Sequence, residues 1–169
     1  EFLGGKLISR NLRQDLEKWL LRPEVVLHRD WLSATFTLIA SHFHAGDFDL
    51  HRKLVSTVMA LTQGQQVEPS FQAELEIQLG LSWRIKGDLD RAIEAYNQAI
   101  FLAKISGTKR ILSKALFNLA MTHESAGNLT VALELLNEAQ DHLEDQGDAS
   151  VVGLIELSIA RIHFMLGTD

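Results

Sequence analysis

Apolar residues return every three or four positions along almost the whole chain, and no stretch alternates apolar and polar residues for long enough to read as a strand. This periodicity predicts eight helices, at 6–21, 24–45, 48–63, 70–86, 89–105, 109–126, 129–145 and 149–166. Every connection between them is short, so neighbouring helices should run antiparallel. The polar breaks carry turn chemistry. Asp47, Asp88 and Asn128 each follow a glycine and can cap the next helix with a side-chain oxygen. Gly107 and Gly147 are suited to ending two other helices, Pro69 or Ser70 to opening the fourth, and Pro23 with Glu24 to opening the second.

The breaks themselves recur. Gly87, Gly127 and Gly167 are 40 and 40 residues apart, Gly46 lies 41 before the first, and Gly107 and Gly147 repeat the same 40-residue step. One helical hairpin has no reason to keep such a period; a stacked array does. The side-chain columns agree. Seven residues before each turn glycine stand Gly80, Ala120 and Ala160, all small enough for two helices to approach closely. Five residues after it come Ala92 and Ala132, then Ala99 and Ala139 seven further on, with the larger Tyr96 and Leu136 between them. Such intervals place the residues on one helix face.

Those columns resemble the tetratricopeptide-repeat (TPR) family. Leu79-Gly80, Gly87-Asp88, Ala92, Tyr96 and Ala99 match one unit; Leu119-Ala120, Gly127-Asn128, Ala132, Leu136 and Ala139 match the next; Ile159-Ala160 and Gly167 match the first half of a third. The stretch 38–58 departs from the pattern, with His51 near the position of the helix-packing alanine. The period of 40 exceeds the 34 usual for TPR units, which longer helices would explain. "DLEKWLLRPEVVLHRDWLSATFTLIASHFHAGDF" is in addition similar to the repeat array of bacterial ATP-dependent transcription activators of the maltose-regulator type. The resemblance implies an all-α, TPR-like helical-hairpin solenoid with a right-handed superhelix. It would form a single repeat domain over 1–169: a helical segment at 1–30, a degenerate unit at 31–69, units at 70–108 and 109–148, and a truncated unit or capping helix at 149–169.

In such a solenoid the first helix of each pair lines the concave side. The resemblance therefore implies a groove lined by Phe36, Thr37 and Phe43, then by Ile77, Gln78, Leu81 and Arg84. It continues through Phe117, Asn118, Met121 and Glu124 to Leu157, Ser158, Arg161 and Phe164. Apolar anchors with a few polar groups suit a surface that holds a peptide or helix. Asn118 occupies the place where many TPR units carry an asparagine that binds a ligand backbone; facing water, or bonding within its own helix, is the other reading. Arg84 and Arg161 can clamp a carboxylate, or pair with Glu124 on the same face.

Composition narrows the function without naming a partner. The net charge of −6, with both signs interleaved, lacks the clustered cations of a nucleic-acid footprint. There is no cysteine, hence no disulfide framework or thiolate site, and no apolar run long enough to span a membrane. A cytoplasmic setting is the expectation. Among seven histidines, His42, His123 and His163 share a column with Trp83, but successive units lie too far apart for one ion, so they read as packing groups. His42 and His44 point to different sides of a helix. "GTKR" at 107–110 lacks the strand and spacing of a phosphate loop, and "LEDQGDAS" lacks a complete calcium loop. Nothing suggests a cofactor or a catalytic constellation.

The expected function is thus a non-catalytic module that binds a protein or peptide segment, as the scaffolding or sensory part of a signalling or transcriptional regulator. The alternative is a sensor that takes a small molecule or signal peptide and changes curvature. The ends, Glu1-Phe2 and "FMLGTD", suggest a piece of a longer protein, and Phe164, Met165 and Leu166 offer a route to self-association.

Overall fold

The computed structural model describes residues 15, 18, 22, 31–143 and 149–167. The chain divides into two compact units, Glu1–Val67 and Glu68–Asp169.

In the first unit, α1 (Trp31–His44) and α2 (Phe48–Thr62) form a hairpin. Gly46, at φ 76°, turns the chain, and the bonds Gly46 N–H to Phe43 O (3.0 Å) and Asp47 N–H to His42 O (3.0 Å) close the end of α1. Only a residue without a Cβ adopts this left-handed geometry cheaply. Trp31, Leu38, Ile39, Leu54, Val55 and Val58 are buried. His51 is fully buried where the later units have alanine, and Phe43 meets its ring edge-on at 5.6 Å and that of Phe48 at 5.6 Å. An aromatic cluster replaces the close alanine contact here, which is why the repeat pattern fades over this stretch.

The second unit is a helical-hairpin solenoid of α3 (Pro69–Lys86), α4 (Leu89–Ser106), α5 (Lys109–Ser125), α6 (Leu129–Asp141) and α7 (Ala149–Leu166). The 40-residue period is visible in the backbone itself. Gly87, Gly127 and Gly167 take φ 83°, 81° and 69°, and the closing bonds Asp88 N–H to Trp83 O (3.0 Å) and Asn128 N–H to His123 O (2.9 Å) are one period apart. Gly107, at φ 67°, ends α4 in the same way. Pro69 opens α3, where its missing N–H costs no helical bond.

The capping expectation needs correction at two of three positions. Asp88 accepts from Arg91 N–H at 3.3 Å and caps α4. Asp47 and Asn128 make no side-chain cap: Asp47 lies 3.9 Å from His42 Nδ1, and the Asn128 amide is 3.5 Å from His123 Nδ1. A histidine four residues before each of these turn glycines lies near the polar side chain; the corresponding residue before Gly87 is Trp83. The helix expected over 129–145 stops at Asp141, with His142 and Leu143 already in a turn. Most of the helix over 6–21, the start of the helix over 24–45 with its Pro23-Glu24 opening, the Gly147 turn and most of "LEDQGDAS" lie outside the described residues.

Alanine and glycine set the helix spacing. Ala92, Ala99, Ala120, Ala132 and Ala139 are all fully buried, with Tyr96 and Leu136 filling the space between them. A Cβ placed on Gly80 would lie 2.7–2.9 Å from the Tyr96 ring, so this glycine is dictated by its neighbour's bulk. One period on, the pair becomes Ala120 and Leu136: the methyl group returns as the ring disappears. Buried Ser113 donates to Ala139 O at 2.8 Å and ties α5 to α6. Ala160, the third member of the small-residue column, is exposed, because no described helix returns along α7 as α4 does along α3.

Candidate protein-binding surface

Each unit consists of a leading helix (α3, α5, α7) and a returning one (α4, α6). α3 packs directly on α5, whereas α4 and α6 approach much less closely along the backbone. Stacking that is tighter on one side curves the array toward that side, so α3 and α5 line its inner face.

Side chains 36 to 40 residues apart bind the leading helices together. Lys114 Nζ donates to Glu74 Oε2 at 2.6 Å, and Arg110 approaches the other Glu74 oxygen at 3.5 Å. Arg161 donates to Glu124 Oε2 at 2.8 Å and lies 3.6 Å from Met121 Sδ. Two carboxylates that are mostly shielded from water are thus met by cations from the following helix, which fixes the register between units. On the outer side, Lys104 and Glu138 lie 3.7 Å apart across the returning helices, and both remain substantially exposed.

The residues expected along the groove divide by environment. Ile77 is 1% exposed and belongs to the core, a correction to its assignment as a lining residue. One period later Phe117 is half-buried, and one further Leu157 is 67% exposed. Ser158 is likewise buried and donates to Leu154 O at 2.8 Å. Phe43 is engaged in the α1–α2 aromatic cluster, while Phe36 is half-buried and Thr37 bonds back to Ser33 O at 2.9 Å.

Gln78, Leu81, Phe117, Asn118 and Met121 remain half-buried along α3 and α5. The Asn118 amide donates to Lys114 O at 2.8 Å within its own helix, and its Oδ1 carries no hydrogen bond among the described residues. Phe164 is 82% exposed on α7. Arg84 stands beside the Tyr96 phenol: burial pushes that phenol up to about 12, and the guanidinium pulls the other way. This cation therefore faces the interior of its own hairpin, and Arg161 is held by Glu124, so no pair of free cations is arranged as a carboxylate clamp.

Sequence reasoning missed two features. The Glu74–Lys114 pair is spaced by one period, so opposite charges in equivalent positions of adjacent units were its available signal. Glu76 occupies a column held by fully buried Leu116 in the next unit. Burial, and then the charge of Glu94 on α4, push the Glu76 carboxyl up to about 7. Among the histidines, His42 is buried and His123 and His163 are half-buried, consistent with roles inside the helix pairs. Trp83 is flanked by Arg91 at 4.6 Å and Lys86 at 5.4 Å from its ring centroid. Among the described residues no three potential metal ligands converge, and no helix is long and apolar enough to cross a membrane.

Comparison with known proteins gives this geometry its relatives. Residues 71–145 match the tetratricopeptide repeat family model. Among curated proteins no sequence match is found. BtubC (BKLC) from P. vanneervenii superposes with a TM-score of 0.79 at 14% identity over 94% of this chain, which spans 66% of that protein's chain. Kinesin light chain nearly identical TPR-like repeats from Podosopora anserina superpose with a TM-score of 0.66 at 16% identity, over 94% of this chain and 81% of theirs. A second crystal structure of those repeats gives 0.68 at 15% identity with the same coverage. At these identities the likeness establishes the fold. Residues 71–145 are thus similar to tetratricopeptide repeats, and the chain has the helical-hairpin solenoid fold of these structures.

Proposed function

We propose that this chain is a non-catalytic protein-binding module that holds an extended or helical peptide segment against the inner face of α3 and α5, in a scaffolding or regulatory assembly in the cytoplasm. The observation that carries the reading is the half-buried apolar strip of Leu81, Phe117 and Met121, flanked by the amides of Gln78 and Asn118 and built on helices locked in register by Glu74, Lys114 and Arg110. Burying such a strip supplies ~25 cal/mol per Å² before ordering costs, and the amides can align a backbone. Asn118 Oδ1 is the acceptor best placed for a ligand N–H.

Selection of peptides from a displayed random library, followed by calorimetric titration, tests the proposal. Phe117→Ala and Asn118→Ala should each weaken a selected peptide, the former by ~10-fold or more, with helicity unchanged. Unchanged affinity in both variants would reject this face as the binding surface.

A further inference from the structure

The outward face of α4 changes character near its end. The inward face is set by Ala92, Tyr96, Ala99 and Ala103, all buried. Phe101 and Ile105 lie about 140° and 180° round the helix from Tyr96 and are 57% and 58% exposed. This exposure belongs to the position in the repeat. The residues equivalent to Phe101 in the units before and after, Ala60 on α2 and Asp141 on α6, are exposed as well, so stacking leaves this column open in every unit. Alanine and aspartate are ordinary in such a place. Phenylalanine, with isoleucine one turn further along the same face, forms an apolar pair that packing within the chain does not use.

What surrounds the pair decides what fits it. Glu94 and Gln98 precede Phe101 on the same outward stripe, and on α6 that stripe reads Glu134, Glu138 and Asp141. Asp90, Glu94, Glu134 and Asp141 are exposed and make no ion pair among the described residues. Arg91 and Lys104, the cations of these two helices, are engaged. Arg91 lies 3.5 Å from Asp88 and over the Trp83 ring, and Lys104 lies 3.7 Å from Glu138, which brings the acidic stripe of α6 beside α4. The apolar pair therefore sits on a face of uncompensated negative charge. A second copy of this chain would bring the same charge against it, and a nucleic acid or anionic membrane would be repelled in the same way.

We propose that the outward face of α4, with the acidic stripe of α6 beside it, docks a basic amphipathic helix of another protein. The apolar side of that helix packs on Phe101 and Ile105. Its flanking lysines and arginines meet Glu94 on α4 and Glu134 and Asp141 on α6. This surface is separate from the inner strip on α3 and α5, so one chain can hold two partners at once.

A fluorescently labelled synthetic helix of ~18 residues, with leucine on one face and lysine on the other, is a defined probe. Its anisotropy on titration with the 169-residue chain should show saturable binding that weakens as salt is added. Phe101→Asp separates docking from bulk charge attraction, because it removes the anchor, adds a carboxylate and installs the residue that the next unit carries there. Docking at this face predicts binding weakened by ~10-fold or more. Unchanged or tighter binding, the result of attraction to net charge alone, overturns the proposal. Glu134→Lys should weaken the probe too, whereas Glu156→Lys, the same change of charge on exposed α7, should not; equal effects of the two overturn it. Phe117→Ala should leave the probe bound, so this face and the inner strip succeed or fail separately; loss of binding in that variant places the probe on the inner strip and overturns the assignment. A marked fall in the melting temperature of Phe101→Asp would mean that the chain's own residues cover the pair, and overturns it as well.

Discussion

Glu76 places a carboxyl where the next unit buries Leu116, and its proton affinity rises to about 7 from the 4.5 of a free side chain. The folded chain therefore holds this proton more tightly than the unfolded chain does. This contribution to stability is fully present below pH 4.5, is lost as the pH rises toward 7, and stays flat beyond it. Glu76→Gln should remove that part of the pH dependence and raise the melting temperature above pH 7, measured by thermal unfolding at several pH values. The caps make a second test at this scale. Asp88→Ala should destabilise the chain by ~1 kcal/mol, whereas Asn128→Ala, whose side chain caps nothing, should cost distinctly less in denaturant titrations. Sequence alone placed all three polar residues in equivalent positions; the difference goes with the side chain four residues before the turn glycine, histidine in two units and tryptophan in the third. Glu76 was illegible for a related reason, since a polar residue in an amphipathic pattern does not disclose how much of its carboxyl is covered.

At the scale of paired helices, the complementarity of Gly80 with Tyr96, and of Ala120 with Leu136, explains why small residues hold one column and large ones the facing column. Gly80→Ala should cost about 1–3 kcal/mol by overpacking. In a double-mutant cycle, adding Tyr96→Leu to Gly80→Ala recreates the second unit's pair and should recover part of that loss; strict additivity would show that the two side chains do not determine each other. This level was the most legible, because the left-handed turns demand glycine and close helix contact demands small side chains at fixed intervals. The first hairpin was harder to read: its contact uses Phe43, Phe48 and His51, and a cluster of rings imposes no comparable spacing.

For the whole molecule, the inner face follows from the closer approach of α3 and α5, an outcome of packing that no residue pattern announces. The resemblance carried the lining residues onto one helix face, but Ile77, Phe117 and Leu157 share a column and differ in exposure, from 1% at Ile77 to 67% at Leu157. What a partner can touch is thus decided by position along the array as much as by residue type. The central claim is that the inner strip on α3 and α5 is the protein-binding surface. Hydrogen exchange of the chain with and without a peptide selected from a displayed library tests it most directly. Added protection should concentrate in residues 78–84 and 117–124 and vanish together with binding in Phe117→Ala; protection confined to α4 and α6 would contradict it.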